Sequence, residues 1–206
     1  MNTYSRSFFE ENPHQVAQGL LGATLYRDGE TPRAGRIVEV EVYGHSVDPA
    51  SHGDSNQPTA RTRPMFGAPG TLYVYQIYGM YCCCNVVTSR GERPAAILIR
   101  ALEPISGLAA MALHRGLDPE RLDRESHRKK LLSGPGKICQ AMEIGREHNG
   151  LDATRSTLRL IPGEKVASRW IAATPRIGLN PKTCGESAFW PWRYVDRRSG
   201  FLSRRL

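Results

Sequence analysis

Apolar and polar positions along the chain follow two periods, and the changes of period mark the elements. Val16, Ala17, Leu20 and Leu21 recur at helical spacing behind Asn12-Pro13, an N-cap followed by proline at the first helical position. With Gly22 as terminator, the pattern predicts a helix over 14–21 and then a short strand over 23–27, turned by Asp28-Gly29-Glu30 and Pro32. The clearest strand is predicted over 35–43. Val38, Val40 and Val42 alternate onto a core face, and Ile37, Glu39, Glu41 and Tyr43 onto the other. Two carboxylates and a phenol beside so apolar a row are the first hint of chemistry.

Residues 44–63 have loop composition, and a loop of about twenty residues in a compact domain tends to carry function. Between Pro64 and Ser89 no residue is charged. That stretch divides into strands over 71–78 and 81–88 around Gly79-Met80, and a further strand is predicted over 95–102, with Arg100 inside it and Pro104 as its stop. Helices are predicted over 106–115, 118–132 and, after Ser133-Gly134-Pro135-Gly136, over 137–144. Late strands are expected over 157–161, 176–179 and 193–195. With no repeat, low-complexity tract or linker, the expectation is one mixed α/β domain spanning 1–206.

Composition narrows the class. An apolar share of 40% with 23% charged residues fits neither a disordered chain nor a membrane bundle, and no apolar run reaches the ~18 residues of a spanning helix. Arg6, Glu10 and Glu11 interrupt any signal-peptide core, so a soluble intracellular protein is expected, in a bacterial cytoplasm by default or in a nucleus if the source is eukaryotic. The formal charge of +8 rests on 28 basic residues against 20 acidic ones, and 23 of the 28 are Arg. Such a surface suits a polyanion, nucleic acid first, although charge alone also serves solubility. Cys82, Cys83, Cys84, Cys139 and Cys184 form neither a disulfide framework nor zinc spacing and read as small buried residues of a reducing compartment.

Four groups of residues invite a role. Glu41, on its apolar strand, is either one of a half-exposed polar row or a carboxylate with a job, with Arg100 as structural partner or as a clamp on a water. Four of the eight tyrosines, Tyr73, Tyr75, Tyr78 and Tyr81, fall in two adjacent strands, as core packing or as a platform for planar bases. Glu41, His45, Asp48 and His52 form a conceivable metal set without diagnostic spacing. Gly134-Pro135-Gly136-Lys137 lacks the first glycine of a Walker loop, position 131 being Leu131, yet Lys137 is placed to hold one backbone phosphate. A metal-dependent nuclease and a non-catalytic binder of damaged or single-stranded nucleic acid are the rival readings.

The runs GRIVEVEVYG and DPASHG, TARTRPMFGAPGTLYVYQIYGMYCCCNVV, AILIRALEP, SGPGKICQAM and PWRYV resemble the alkyladenine (3-methyladenine) DNA glycosylase family, in family order from Phe8-Phe9 to the tail. The tyrosine-rich run is the most specific. The resemblance implies a single α/β domain with a curved, mostly antiparallel sheet flanked by helices, a monomer without metal or cofactor. It also implies excision of damaged purines from double-stranded DNA by base flipping. On that resemblance Glu41 is the general base, and Arg100 with the Ile177 carbonyl holds the water. Tyr43, His52 and Tyr75 wall the flipped base, and Asn85 opposes the 2-amino group of guanine. Tyr78 is the wedge, with Met80 beside it, and Arg61, Arg63 and Lys137 lie near the DNA backbone. Val42 stands where the family usually has Ala, and it either narrows the pocket or packs into the core. The five lysines, Lys129, Lys130, Lys137, Lys165 and Lys182, all fall outside the Glu41–Arg100 stretch, so an enzyme without strand-cutting chemistry is expected.

Overall fold

The structure, a computed structural model, describes residues 2–44, 48–53, 58–88 and 94–206. A four-residue turn α1 (Arg6–Phe9) precedes α2 (Pro13–Leu20), whose first free N–H groups are met by Asn12 Oδ1 at His14 N, 2.9 Å. The strands are β1 (Thr24–Arg27), β2 (Arg33–Gly44), β3 (Leu72–Ile77), β4 (Tyr81–Thr88), β5 (Ala95–Ser106), β6 (Leu158–Ile161), β7 (Ile171–Thr174) and β8 (Arg193–Asp196). All pair antiparallel, in the order β3-β4-β5-β2-β1-β6, forming one curled α/β domain. The long β2 serves two neighbours on one edge: β1 along its first turn of residues, then β8, which carries β7. Helices α3 (Leu108–His114), α4 (Glu125–Leu132) and α5 (Pro135–Ala141) cover one face, and a short α6 (Pro181–Cys184) lies in the loop before β8.

The alternation predicted for β2 breaks in the middle. Opposite β5, Ile37 pairs with Leu102, Glu39 with Ala101 and Val40 with Ile99. Val38 is therefore an extra residue on β2 and Arg100 an extra residue on β5, two bulges in succession that restore register between them. As a result Ile37, Val40 and Val42 face the main core with Val86, Ile97, Ile99 and Leu102. Val38, expected in that core, instead joins Ala101, Ala172, Val195, Phe201 and Leu202 in a small second core behind the sheet. Val42 is fully buried in the main core, so its methyl groups pack there.

Other expectations shift for local reasons. Pro104 does not end β5. It sits where β2 and β5 change register again beside Gly35, and a residue without an N–H is tolerated at such a bulge. The strand runs on to Ser106 and turns into α3 through Gly107, whose φ of 75° and close approach to Pro32 suit only glycine. The helix expected over 118–132 splits into a single turn at Pro119–Arg121 and α4, because Arg124 is extended between them. α5 starts at Pro135 rather than at Lys137, with the proline at its first position. Residues 176–179 are not a strand, and β7 lies earlier. Arg176 and the Ile177 N–H spend their hydrogen bonds on side chains and carbonyls of the site described next. No helix among the described residues is long and apolar enough to cross a membrane.

Candidate active site

The two bulges put Glu39, Glu41 and Arg100 on one face of the sheet. Arg100 Nε lies 3.2 Å from Glu39 Oε1 and 3.4 Å from Glu41 Oε1, and its Nη1 donates to Glu41 Oε2 at 3.4 Å. Glu41 is fully buried and receives two shorter bonds, from the Tyr43 hydroxyl at 2.8 Å and the Ile177 N–H at 2.7 Å. Ile177 thus meets Glu41 through its N–H, a contact that the expectation of a carbonyl there did not include. Burial raises the Glu41 pKa most strongly. Arg100, the Ile177 N–H and Tyr43 oppose that shift, and the Glu39 charge adds to it. Burial, and then the neighbouring Glu41, push the Tyr43 phenol well above its usual value.

Glu39, also fully buried, has its own donors: Arg193 Nε at 2.7 Å, Ser203 N–H at 2.6 Å and Ser203 Oγ at 2.7 Å. On the other side of Tyr43 stands Arg176, buried with Asp48 in a two-pronged pair at 2.6 and 2.8 Å. Its guanidinium lies 4.7 Å over the Tyr43 ring and 5.2 Å over Trp192, and it donates to the Val42 and Ser187 carbonyls. Arg176 fixes both Tyr43 and the segment that presents the Ile177 N–H. Nothing in the local sequence marks Arg176, because its partner lies 128 residues away.

Tyr43 also lines a cavity with His52, Tyr75 and Asn85, the residues expected as pocket walls, together with Ala50, Met65, Tyr73 and Ala96. Ile177 is not among its lining residues. The cavity measures about 30 Å³, room for a water or two. It is narrow because the His52 ring lies edge-on to Tyr75 at 4.7 Å and His52 Nδ1 is bonded to the Tyr73 hydroxyl at 3.0 Å. Burial against these rings and the nearby Arg61 lower the His52 pKa, which leaves the imidazole uncharged at neutral pH. Asn85 is buried and donates to the Tyr73 carbonyl at 2.9 Å.

The β3–β4 turn carries the exposed aromatics. Tyr78 is 88% exposed and Met80 69%, whereas typical side chains of this kind are largely covered. Tyr78 at φ 50° and Gly79 at φ 70° are both left-handed, and Met80 N–H closes the turn on the Ile77 carbonyl at 3.2 Å. A tyrosine in that region stores about 1–3 kcal/mol of strain, characteristic of residues placed for function. The Arg61 guanidinium lies 5.1 Å over the Tyr75 ring, and Arg63, exposed, opens a short turn at Arg63–Phe66. Lys137 Nζ is 3.3 Å from Ser133 Oγ, and Gly136 packs against the Tyr81 ring. Arg61, over Tyr75, and the Arg63–Phe66 turn, whose Met65 lines it, therefore flank the cavity, whereas Lys137 lies at the start of α5, whose Ile138 and Cys139 pack into the main core.

The rival chemistries find less support in the side chains. In the conceivable metal set, His45 lies outside the described residues. Both Asp48 oxygens are held by Arg176, with the Gly44 and Ala50 N–H groups as further donors. Burial raises the Cys83 thiol to about 11 and Cys84 to about 12, so neither is a thiolate nucleophile at neutral pH.

Comparison with known proteins agrees in extent with the resemblance. The family model described as Methylpurine-DNA glycosylase (MPG) matches residues 7–200. Three curated proteins, each named "Putative 3-methyladenine DNA glycosylase", are similar along their length. The one from Clostridium novyi (strain NT) is 36% identical, with all of both chains covered. That from Methanocella arvoryzae is 44% identical, over 100% of this chain and 98% of its own. That from Rhodopseudomonas palustris (strain BisB18) is 43% identical, over 97% of this chain and 90% of its own.

Proposed function

The chain belongs to the methylpurine-DNA glycosylase family and is a DNA glycosylase, and from that premise we propose how it acts. It flips damaged purines, 3-methyladenine and 7-methylguanine first, out of duplex DNA and hydrolyses the N-glycosidic bond with a water activated by Glu41. The observation that carries this reading is a fully buried carboxylate, oriented by three donors, next to an aromatic cavity.

Glu41 takes a proton from the water and its charge stabilises the cationic sugar that develops as the bond breaks. Arg100 orients that water: its buried Nε–H makes no hydrogen bond among the described residues, which leaves donor capacity beside both carboxylates. The flipped base displaces the His52 ring from Tyr75 and lies between Tyr43, His52 and Tyr75, while Asn85 opposes the 2-amino group of normal guanine. An alkylated purine is cationic, so it gains from aromatic faces and meets an uncharged His52. The same charge makes it a good leaving group. Tyr78, with Met80, fills the vacated stack from the minor groove, and Arg61, Arg63 and Lys137 contact phosphates. No lysine is among the groups that act on Glu41, so the product is an intact strand with an abasic site. The enzyme works as a monomer and without a cofactor.

The test is release of free base from a duplex carrying one hypoxanthine and from methylated DNA, both with EDTA present. Release from methylated DNA, with strands nicked only after alkali, is the expected result. Because Val42 packs into the core, it does not narrow the cavity, and release of the neutral hypoxanthine is expected as well. Binding without release from either substrate would favour the damage-binding reading. For the wedge, Tyr78→Ala is expected to weaken duplex binding about ten- to hundredfold, the equivalent of ~1–3 kcal/mol of lost stacking. The same change should spare release from substrates already unpaired, a comparison that single-turnover rates on matched and bulged duplexes provide.

A further inference from the structure

The C-terminal segment reaches the same group of charges from behind the sheet. Phe201 and Leu202 are buried in the second core, which delivers Ser203 to Glu39 through both its N–H and its hydroxyl. The Arg204 carbonyl accepts from Arg193 Nη2 at 2.7 Å, and Arg193 Nε in turn holds Glu39 at 2.7 Å. Glu39 and Glu41 share one guanidinium, that of Arg100. What the tail supplies to Glu39 therefore decides how much of Arg100 is left for Glu41.

We propose that Glu39 and Ser203 are positioning residues that divide Arg100 between the two carboxylates, so that the C-terminal segment sets the proton affinity of the general base. This rests on the role given to Glu41 above. The charged and titratable groups around Glu41 are Glu39 and Tyr43 on its own strand, Arg100 on β5, Cys83 on β4, Arg193 on β8 and Arg176 behind Tyr43. Only Glu39 and Arg193 among them are tied to the tail. Removing the Ser203 hydroxyl draws Arg100 toward Glu39, and Glu41 then holds its proton to higher pH. Removing the Glu39 charge releases Arg100 to Glu41, and the proton is lost at lower pH.

The experiment is the pH profile of single-turnover base release for wild type, Ser203→Ala, Glu39→Gln and Ser199→Ala. Ser199 belongs to the same segment, and its hydroxyl bonds Phe201 N–H rather than Glu39. The acid limb is expected to move up by about half a pH unit or more in Ser203→Ala and down in Glu39→Gln, and to stay in place in Ser199→Ala. A merely structural role would lower rates at every pH without moving the limb. That outcome, or an unmoved limb in Ser203→Ala, overturns the proposal. Glu39→Gln removes the counter-charge of buried Arg193, and should that variant not fold, Ser203→Ala and Ser203→Gly decide the matter. Titration of the Glu41 carboxyl by NMR in labelled protein reads the same shifts without turnover. A wild-type enzyme that released no base would sink the glycosidic mechanism while leaving this division of Arg100 to be judged by the titration.

Discussion

Glu41→Gln is expected to lower base release by about 10²–10⁴-fold while leaving duplex binding intact and raising the melting temperature. The amide keeps the shape of the side chain. Its oxygen can accept from the Ile177 N–H, and its NH₂ can donate to the Tyr43 oxygen, a hydroxyl free to rotate. What disappears is a charge held without water, whose burial raises the Glu41 pKa. A carboxyl with a folded-state pKa above its unfolded value binds more protons when folded. Its charge therefore costs stability above the folded pKa, and that cost fades as pH falls through the folded pKa and is gone below the ordinary carboxylate range. The stability advantage of Glu41→Gln should follow the same course, full near neutrality and lost in acid. The catalytic rate of the wild type should rise with pH through a limb above the ordinary carboxylate range, and the residual rate of the variant should be flat. Thermal melts and single-turnover rates across the same buffers test both halves. A variant that lost activity and stability together would mean that Glu41 is a structural ion-pair partner instead of a base.

The residues that were legible in the sequence share a property: the pattern that reveals them is local. Alternation along 35–43 already put Glu39, Glu41 and Tyr43 on one face, and the uncharged tyrosine-rich run showed two strands around a turn at Gly79-Met80, a turn that in the structure begins one residue earlier, at Tyr78. The bulges were not legible, since an extra residue at Val38 matters only when paired against an extra residue at Arg100 on a strand some sixty positions later. Without them Arg100 would not sit beside both carboxylates. β7 escaped notice because Ala172 and Ala173 give little contrast between faces, and 176–179 imitated a strand through Ile177 and Leu179. Glu39 was visible as a polar residue on a strand, but its donors from Arg193 and Ser203 come from a tail that composition marks only as basic. Candidate residues were thus readable one by one, and so was Arg100 as a partner for Glu41, but the bonds from Tyr43, the Ile177 N–H, Arg193 and Ser203 were not.

Asp48→Ala is expected to cost about 3–5 kcal/mol of folding stability, the range seen when one member of a buried pair is removed. Arg176 would be left charged between Tyr43 and Trp192, with the Val42 and Ser187 carbonyls as its acceptors among the described residues. Against a total of about 5–15 kcal/mol for an ordinary domain, that loss approaches global unfolding at physiological temperature. Asp48→Asn keeps one acceptor oxygen and should lose less. Because Arg176 also fixes the ring of Tyr43 and the backbone before Ile177, any folded fraction should release base slowly, through misorientation of Glu41 and not through loss of its charge. The double variant Asp48→Leu with Arg176→Met removes both charges, so its loss should fall well short of the sum of the two single losses. Urea unfolding of wild type, Asp48→Leu, Arg176→Met and the double variant closes that cycle. Additive losses would show that the two charges are stabilised by separate partners, and Arg176 could then no longer be the residue that ties Asp48 to the geometry of Tyr43 and Glu41.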